Sequence, residues 1–320
     1  MQHRAAGLGL GLLSAATFGT SGSLAASLLA AGWSPGAAVT LRVGIAAAVL
    51  AVPALLLLRG RWALLRRGAG GLSLYGLAGV AGAQLCYFNA VQHLSVAVAL
   101  LLEYSGVLLV VLWLWLRRGQ RPRRLTVAGA VVALGGLAMV LEVFAGARLE
   151  PVGVLWGLGA AVGLAVYFVM SAGEDDPLPP LVVAWGGLTV GTLVLSTAGL
   201  VGVVPMRFAT DDVTLFGNRV SWLVPLLGLA LVAAAIAYVA GILAARSLGA
   251  TVASFLGLTE VLFAVVFAWV LLGQSLAAAQ LVGGALVLGG IVLVRLDALS
   301  APAPVIGAAP TEEPSLTRTP

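Results

Sequence analysis

The sequence predicts an all-α polytopic membrane protein: ten transmembrane helices arranged as two inverted five-helix repeats. Three observations predict it. Hydrophobic residues make up 61% of the chain and charged residues 9%, against about 45–50% and about 25% in soluble domains. The apolar runs reach the roughly twenty residues that a bilayer requires. A β-barrel would instead alternate polar and apolar residues over segments of about ten. The second observation is an ungapped echo of Leu94–Val140 at Leu248–Val294, offset by 154; of 47 paired positions, 15 are identical. They include Trp115 with Trp269, Gly119-Gln120 with Gly273-Gln274, Gly129 with Gly283, and Gly135-Gly136 with Gly289-Gly290. The third is a contrast between the two echoing loops. Residues 117–124 carry five arginines, whereas residues 271–278 carry none. Arginine in short loops marks the cytoplasmic side, so the two related loops are expected on opposite faces, as in an inverted repeat.

The elements follow in order. Residues 1–4 are a short cytoplasmic start, 5–145 the first five-helix repeat, 152–295 the second, and 296–320 a disordered cytoplasmic tail rich in Pro, Ala and Thr. The first span, Ala5–Ala31, imitates a signal peptide, but its removal would leave the first repeat one helix short. Its Ser14, Thr17, Thr20, Ser21 and Ser23 either line a path or bond carbonyls one turn back. Ser34-Pro35 is a cap followed by a first-turn proline, and opens Gly36–Leu58, with Pro53 an expected kink. Gly70–His93, Leu94–Leu116 and Leu125–Ala145 complete the first copy. Pro151 opens Val152–Ala172, and Glu174-Asp175-Asp176-Pro177 is a tight acidic turn. Leu181–Val204, the long loop Pro205–Ser221, Trp222–Ala245, Gly249–Leu272 and Ala277–Arg295 make up the second.

All 17 basic residues are arginines. With both termini inside, thirteen of them fall in cytoplasmic segments: 4, 59, 61, 66, 67, 117, 118, 121, 123, 124, 246, 295 and 318. The net charge of +5 therefore reflects loops facing anionic lipid rather than a nucleic-acid surface. Without lysine there is no P-loop lysine and no Schiff-base lysine, so the chain is no ATP-driven pump domain. The single cysteine, Cys86, lies in an apolar run; it forms no intramolecular disulfide and reads as a packing residue. Glycines four apart, as in Gly7 and Gly11, Gly153 and Gly157, Gly159 and Gly163, and Gly187 and Gly191, let helices approach closely. Packing within one bundle and a homodimer face are the two readings of that spacing.

Candidate binding residues are the polar groups inside spans. Glu103 and Glu260 are the acids well inside, near mid-helix. A charge there costs about 2.5–3.5 kcal/mol on insertion scales, so each is either a proton or cation site or a neutral group bonded to a neighbouring helix. The third span is the most polar; Gln84, Phe88 and Gln92 recur at four-residue spacing, with Asn89 between them. Amides and aromatics together suit a polar organic molecule or interhelical hydrogen bonds. Tyr238 opens the corresponding part of the second copy, and Arg42, about seven residues inside its span, either snorkels or pairs with an acid. Tyr87 and Tyr167 read as packing residues, His93 as a boundary residue, and Trp33, Trp62, Trp156 and Trp222 as interface anchors.

The stretches Leu248–Ala253, Thr259-Glu260-Val261, Leu272-Gly273-Gln274 and Leu281–Leu286 resemble the EamA domain of the drug/metabolite transporter superfamily. The resemblance covers Ala5–Arg295 as two copies. Val261 and Gln274 stand where that family commonly has proline and glutamate, and Gly106 occupies the place of Glu260 in the first copy. Arg42 matches an arginine often found in the family's second helix. The first span lacks the glutamate of the smaller four-helix drug exporters, so their mechanism does not transfer. The resemblance implies a ten-helix transporter of the inner or plasma membrane, often an exporter of metabolites, amino acids or drugs.

The reading is a secondary, non-ATP transporter of a small organic solute working by alternating access, with protons as a candidate coupling ion and no cofactor. Its expected partners are the solute, the bilayer and, for the glycine face, a second copy of the chain. The alternatives are a passive channel or accessory subunit and, further off, an intramembrane enzyme. For the last, His3 and His93 are the only histidines, no His-Glu-x-x-His occurs, and no aspartate falls within an expected span.

Overall fold

A computed structural model describes residues 2–94, 96–143, 150–173, 177–272 and 277–300; of residues 2–4, 268, 271 and 272 it describes the backbone alone. The ten helices are α1 Gln2–Ala30, α2 Pro35–Leu58, α3 Trp62–His93, α4 Val96–Arg118 and α5 Arg124–Val140, then α6 Pro151–Ser171, α7 Pro180–Leu200, α8 Leu223–Leu248, α9 spanning 250–272, and α10 Ala278–Leu299. Among the described residues nine helical segments are long and apolar enough to cross a membrane, and α5 is a shorter apolar one of 17 residues. At 1.5 Å per residue α5 reaches about 25 Å, slightly less than the hydrocarbon core. The acidic turn at 174–176, the loop residues 273–276 with Gly273-Gln274, Arg148, and residues 301–320 lie outside the described residues.

The helices pack with a two-fold pattern that exchanges the copies. α2 packs on α7 and α5 on α10, each helix against its own counterpart. α1 packs on α8 and α9, as α6 packs on α3 and α4. An offset of five spans reverses the direction of every helix, so the copies are inverted. The repeated glycines explain the α5–α10 contact. A side chain on Gly129 would meet the Gly290 carbonyl, and one on Gly136 the Gly283 carbonyl, each within 2.7 Å. Because Gly129 corresponds to Gly283 and Gly136 to Gly290, the contact is reciprocal. The glycines spaced by four likewise face neighbours in this chain: Gly157 meets Leu102, Gly163 meets Ala83, and Gly159 meets the Cys86 sulfur.

Two irregularities also repeat. α3 turns π-helical over Tyr75–Gly82 and α8 over Leu231–Ile236; their last residues are 154 apart, the offset of the sequence echo. α4 is broken at Ser105, between Val96–Tyr104 and Gly106–Arg118, and α9 at Leu258, between Ala250–Gly257 and Thr259–Leu272. At both breaks a hydroxyl turns back on its own helix. Ser105 Oγ donates to the Leu102 carbonyl (2.6 Å), and Thr259 Oγ1, its repeat equivalent, to that of Leu256 (2.7 Å). Such bonds compete with the backbone ladder.

Several expectations are corrected. The long loop holds an antiparallel hairpin, β1 Val213–Leu215 with β2 Asn218–Val220, paired Val213 to Val220. Its two-residue turn, Phe216-Gly217, has positive φ at both positions, 51° and 79°, the geometry that matches strand twist. Trp33 is no interface anchor: it is 4% exposed beneath this loop, donates from Nε1 to the Ala209 carbonyl and packs on Phe208 and Trp222. Ser34 caps α2 as expected and also donates to the Pro205 carbonyl (2.6 Å). α10 runs on to Leu299, and Asp297, expected in the tail, is buried and accepts from Thr126 Oγ1 (2.5 Å).

Candidate functional site

A cavity of about 630 Å3 lies between the two repeats, walled by α1, α2, α3, α4, α6, α8 and α9. It starts at mid-helix around Ser14, Tyr167, Tyr238 and Glu260, and extends to Leu29, Pro35, Val91 and Val96. Those four sit at helix ends on the side opposite the arginine loops. Toward the arginine end it stops at Gly11, Phe168, Ala244 and Ala253.

Six of the eight candidate residues line this cavity: Arg42, Gln84, Phe88, Glu103, Tyr238 and Glu260. Gln92 and Asn89 do not. From Gln84 the lining face continues through Phe88 to Val91; at 3.6 residues per turn Gln92 is rotated about 80° off that line, and it is exposed. Asn89 Nδ2 donates to the Leu85 carbonyl of its own helix (2.7 Å). His93 sits at the end of α3 and bonds Glu150 at 2.8 Å.

The two acids reach the cavity by a displaced symmetry. Glu103 corresponds to Gly257 in the second copy, and Glu260 to Gly106 in the first. One carboxylate thus precedes the break of α4 and the other follows the break of α9. Gly106 has no room for a side chain, since a Cβ there would meet the Ala161 carbonyl at 2.5 Å. Glu103, Tyr104 and Arg42 line the same cavity as Glu260, so both carboxylates, the guanidinium and the tyrosine hydroxyl share one space.

Arg42 neither snorkels nor forms an ion pair among the described residues. It is 8% exposed; Nη1 donates to Ser21 Oγ (3.1 Å) and Nη2 to the Ala233 carbonyl (2.8 Å), inside the π-helical stretch of α8. Its guanidinium also lies over the Phe18 ring, 5.8 Å from the centroid, a cation–π distance. Ser14 Oγ donates to the Ala237 carbonyl, just past the same stretch (2.8 Å). The π-helical stretch of α3 reaches the cavity through Gly79, and that of α8 lies behind the wall, where its Ala233 carbonyl takes up the Arg42 donor.

All five tyrosines gather here. Tyr87, Tyr104, Tyr167 and Tyr238 line the cavity, and Tyr75 stacks on Tyr167 at 5.9 Å. Tyr167 meets Tyr238 edge-on at 5.6 Å, and Tyr238 meets Phe18 at 5.2 Å. Reasoning from sequence missed Tyr104 and set Tyr87 and Tyr167 aside as packing. The available signal was their number: five tyrosines in 320 residues, all inside apolar runs, each with a hydroxyl to satisfy.

The sequence profile of the EamA-like transporter family matches residues 5–142 and 151–296. The chain belongs to that family. Its two EamA matches coincide with the two structural repeats, five helices each. An uncharacterized inner membrane transporter of Salmonella typhimurium, YicL, is 22% identical over 234 residues, covering 72% of this chain and 75% of that protein. An uncharacterized transporter of Archaeoglobus fulgidus is 27% identical over 207 residues, covering 65% and 70%. A solved crystal structure superposes with a TM-score of 0.77 at 22% identity, over 93% of this chain and 99% of that one, which establishes the shared fold. The EamA protein described here is therefore a multi-pass membrane transporter.

Proposed function

We propose that this transporter is a secondary, proton-coupled exporter of a small organic solute, working by alternating access between its two repeats. It resides in the inner or plasma membrane with both termini and the arginine loops in the cytoplasm. The observation that carries the reading is the central cavity: it is bounded by both broken helices, reaches one end of the bundle and stops short of the other. The interface between inverted repeats, near the bilayer midplane, is where secondary transporters hold their solute and coupling ion. The lining combines two carboxylates, a guanidinium and an aromatic cluster, which suits a polar organic molecule with an amine or other cationic group. Each carboxylate can also carry a proton across.

The test is flux in proteoliposomes made from the full-length chain alone, with a panel of amines, amino acids and hydrophobic cations, with and without an imposed proton gradient. Saturable uptake that follows the gradient is the expected result. Flux that rises linearly with concentration and ignores the gradient would mean a passive pore.

A further inference from the structure

At the arginine end the central cavity is shut by α6. The Tyr167 hydroxyl lies so close over Gly241 of α8 that no side chain fits there, and a Cβ on Gly257 of α9 would come within 2.8 Å of the Phe168 ring. These contacts join α6, which packs on α3 and α4, to α8 and α9, which pack on α1. They cross between the two groups of helices, so this end opens only when they part.

Repeat symmetry locates their counterpart at the open mouth. Gly7 of α1 packs on Ser247 and Leu248, and Gly11 on Leu256. In the other copy Gly153 of α6 packs on His93 and Leu94, and Gly157 on Leu102, the equivalents of those residues at the offset of 154. α1 and α6 thus correspond at an offset of 146, Gly7 to Gly153 and Gly11 to Gly157. On that alignment Tyr167 and Phe168 answer to Ser21 and Gly22, while Gly241 and Gly257 answer to Tyr87 and Glu103. All four mouth residues line the cavity. The bulk has changed sides. At the closed end α6 supplies the rings and α8 and α9 the glycines; at the mouth α3 and α4 supply the large side chains and α1 the small ones. A side chain added at Gly22 would meet open space in this state.

We propose that Tyr87 and Glu103 are the gate at the end opposite the arginines, and that this mouth closes when they seat on Ser21 and Gly22, carrying the Glu103 carboxylate to the Arg42 guanidinium. The role rests on the transport reading above. Alternating access rocks one group of an inverted-repeat protein against the other, so the contact that shuts one end is the template for the other. Ser21 already accepts from Arg42 Nη1, and Gly22 is its neighbour in the chain. Among the described residues Arg42 donates through Nη1 and Nη2, and its buried Nε has no partner. A carboxylate seated at Gly22 therefore arrives beside a guanidinium with donors to spare, the pairing that a charge taken out of water requires.

The test cross-links the full-length protein in neutral detergent, in a Cys86→Ala background, with a short bifunctional methanethiosulfonate. Cross-links accumulate even from a minor closed population. Gly22→Cys with Glu103→Cys should cross-link about tenfold faster than Gly22→Cys with Val96→Cys, about two turns nearer the mouth on α4, because the rate follows the second thiol's effective concentration. Equal rates, or a faster control pair, overturn the gate. If the Glu103→Cys pair does not fold, Ser21→Cys with Tyr87→Cys is judged against Ser21→Cys with Val91→Cys in the same way. Adding Glu103→Gln to the Ser21–Tyr87 pair should slow it about tenfold through loss of a charge-assisted contact; an unchanged rate would overturn the part given to Arg42. Flux is the second readout. Gly22 and Gly9 both face open space on α1, but only Gly22 lines the cavity. Gly22→Leu fills the seat and should cut flux about tenfold or more, while Gly9→Leu leaves it unchanged and both keep their Tm. Full flux in Gly22→Leu overturns the gate. Cross-linking needs neither solute nor gradient, so a failed gate and a failed transport reading are told apart.

Discussion

A carboxylate in a membrane span is legible because its cost is large; a tyrosine is not, because it packs as readily as it binds. Glu103 and Glu260 stood out in apolar runs, and both face the cavity. Tyr104 went unnoticed beside Glu103, although it lines the same cavity as Glu260. Arg42 was visible but its partners were not: Ser21 comes from α1, and the Ala233 carbonyl from a π-helical stretch of α8 with no sequence mark. Substituting Glu260→Gln keeps the side chain's size and hydrogen bonding while removing its charge and exchangeable proton. The variant is expected to insert and fold normally yet lose about tenfold or more of its flux, equivalent to about 1.4 kcal/mol, or to lose the response to pH. Tyr104→Phe should weaken flux less, by about 1 kcal/mol in free energy, since it removes only a cavity-lining hydroxyl and leaves the ring. If Glu103 and Glu260 act on one proton or cation, the double glutamine variant will fall short of the sum by about 0.5–3 kcal/mol. Flux against pH for the four proteins decides; a Glu260→Gln profile matching the unmodified one would leave the carboxylate a packing role only.

At the scale of elements, the repeat was readable in identities that structure now explains, and the breaks were not readable at all. Gly129, Gly136, Gly283 and Gly290 recur because two backbones touch there. The breaks at Ser105 and Leu258 contain no proline; a hydroxyl bonding its own carbonyl marks each one, and most serines and threonines in a helix do the same without breaking it. The double glycines give a sharp test, because neighbours in one dipeptide should behave oppositely. Gly136 and Gly290 are buried against backbone, whereas Gly135 and Gly289 point to open space. Gly136→Ala and Gly290→Ala should each destabilise by about 1–3 kcal/mol through overpacking. Gly135→Ala and Gly289→Ala should be neutral or stabilise by up to about 1 kcal/mol through helix propensity. Thermal unfolding in detergent checks all four; equal effects within a dipeptide would dismiss the α5–α10 contact.

For the whole molecule, the arginine contrast between two loops was sufficient to foresee inversion, since five spans reverse every helix. It did not foresee a second cavity, of about 550 Å3 at the arginine end, because its walls come from helix ends and a loop that only the fold brings together. The structure presents one state: the central cavity reaches the end opposite the arginines, and the second cavity is separate from it. Alternating access requires that the two mouths trade accessibility, and two cysteines can read this. In a Cys86→Ala background, Val91→Cys reports the first mouth and Thr251→Cys the second. Loop sites fix the sidedness: Ser275→Cys should react with impermeant thiol reagents from outside, and Arg121→Cys only from inside. In the state seen here Val91→Cys should label rapidly from outside and Thr251→Cys from inside as far as the second cavity admits the reagent. A transported solute that shifts the population must then slow one rate while it quickens the other, because the same rearrangement closes one mouth as it opens the other. Rates that rise together would mean a continuous pore, and rates indifferent to every solute that the protein moves would mean that the repeats do not rearrange during transport.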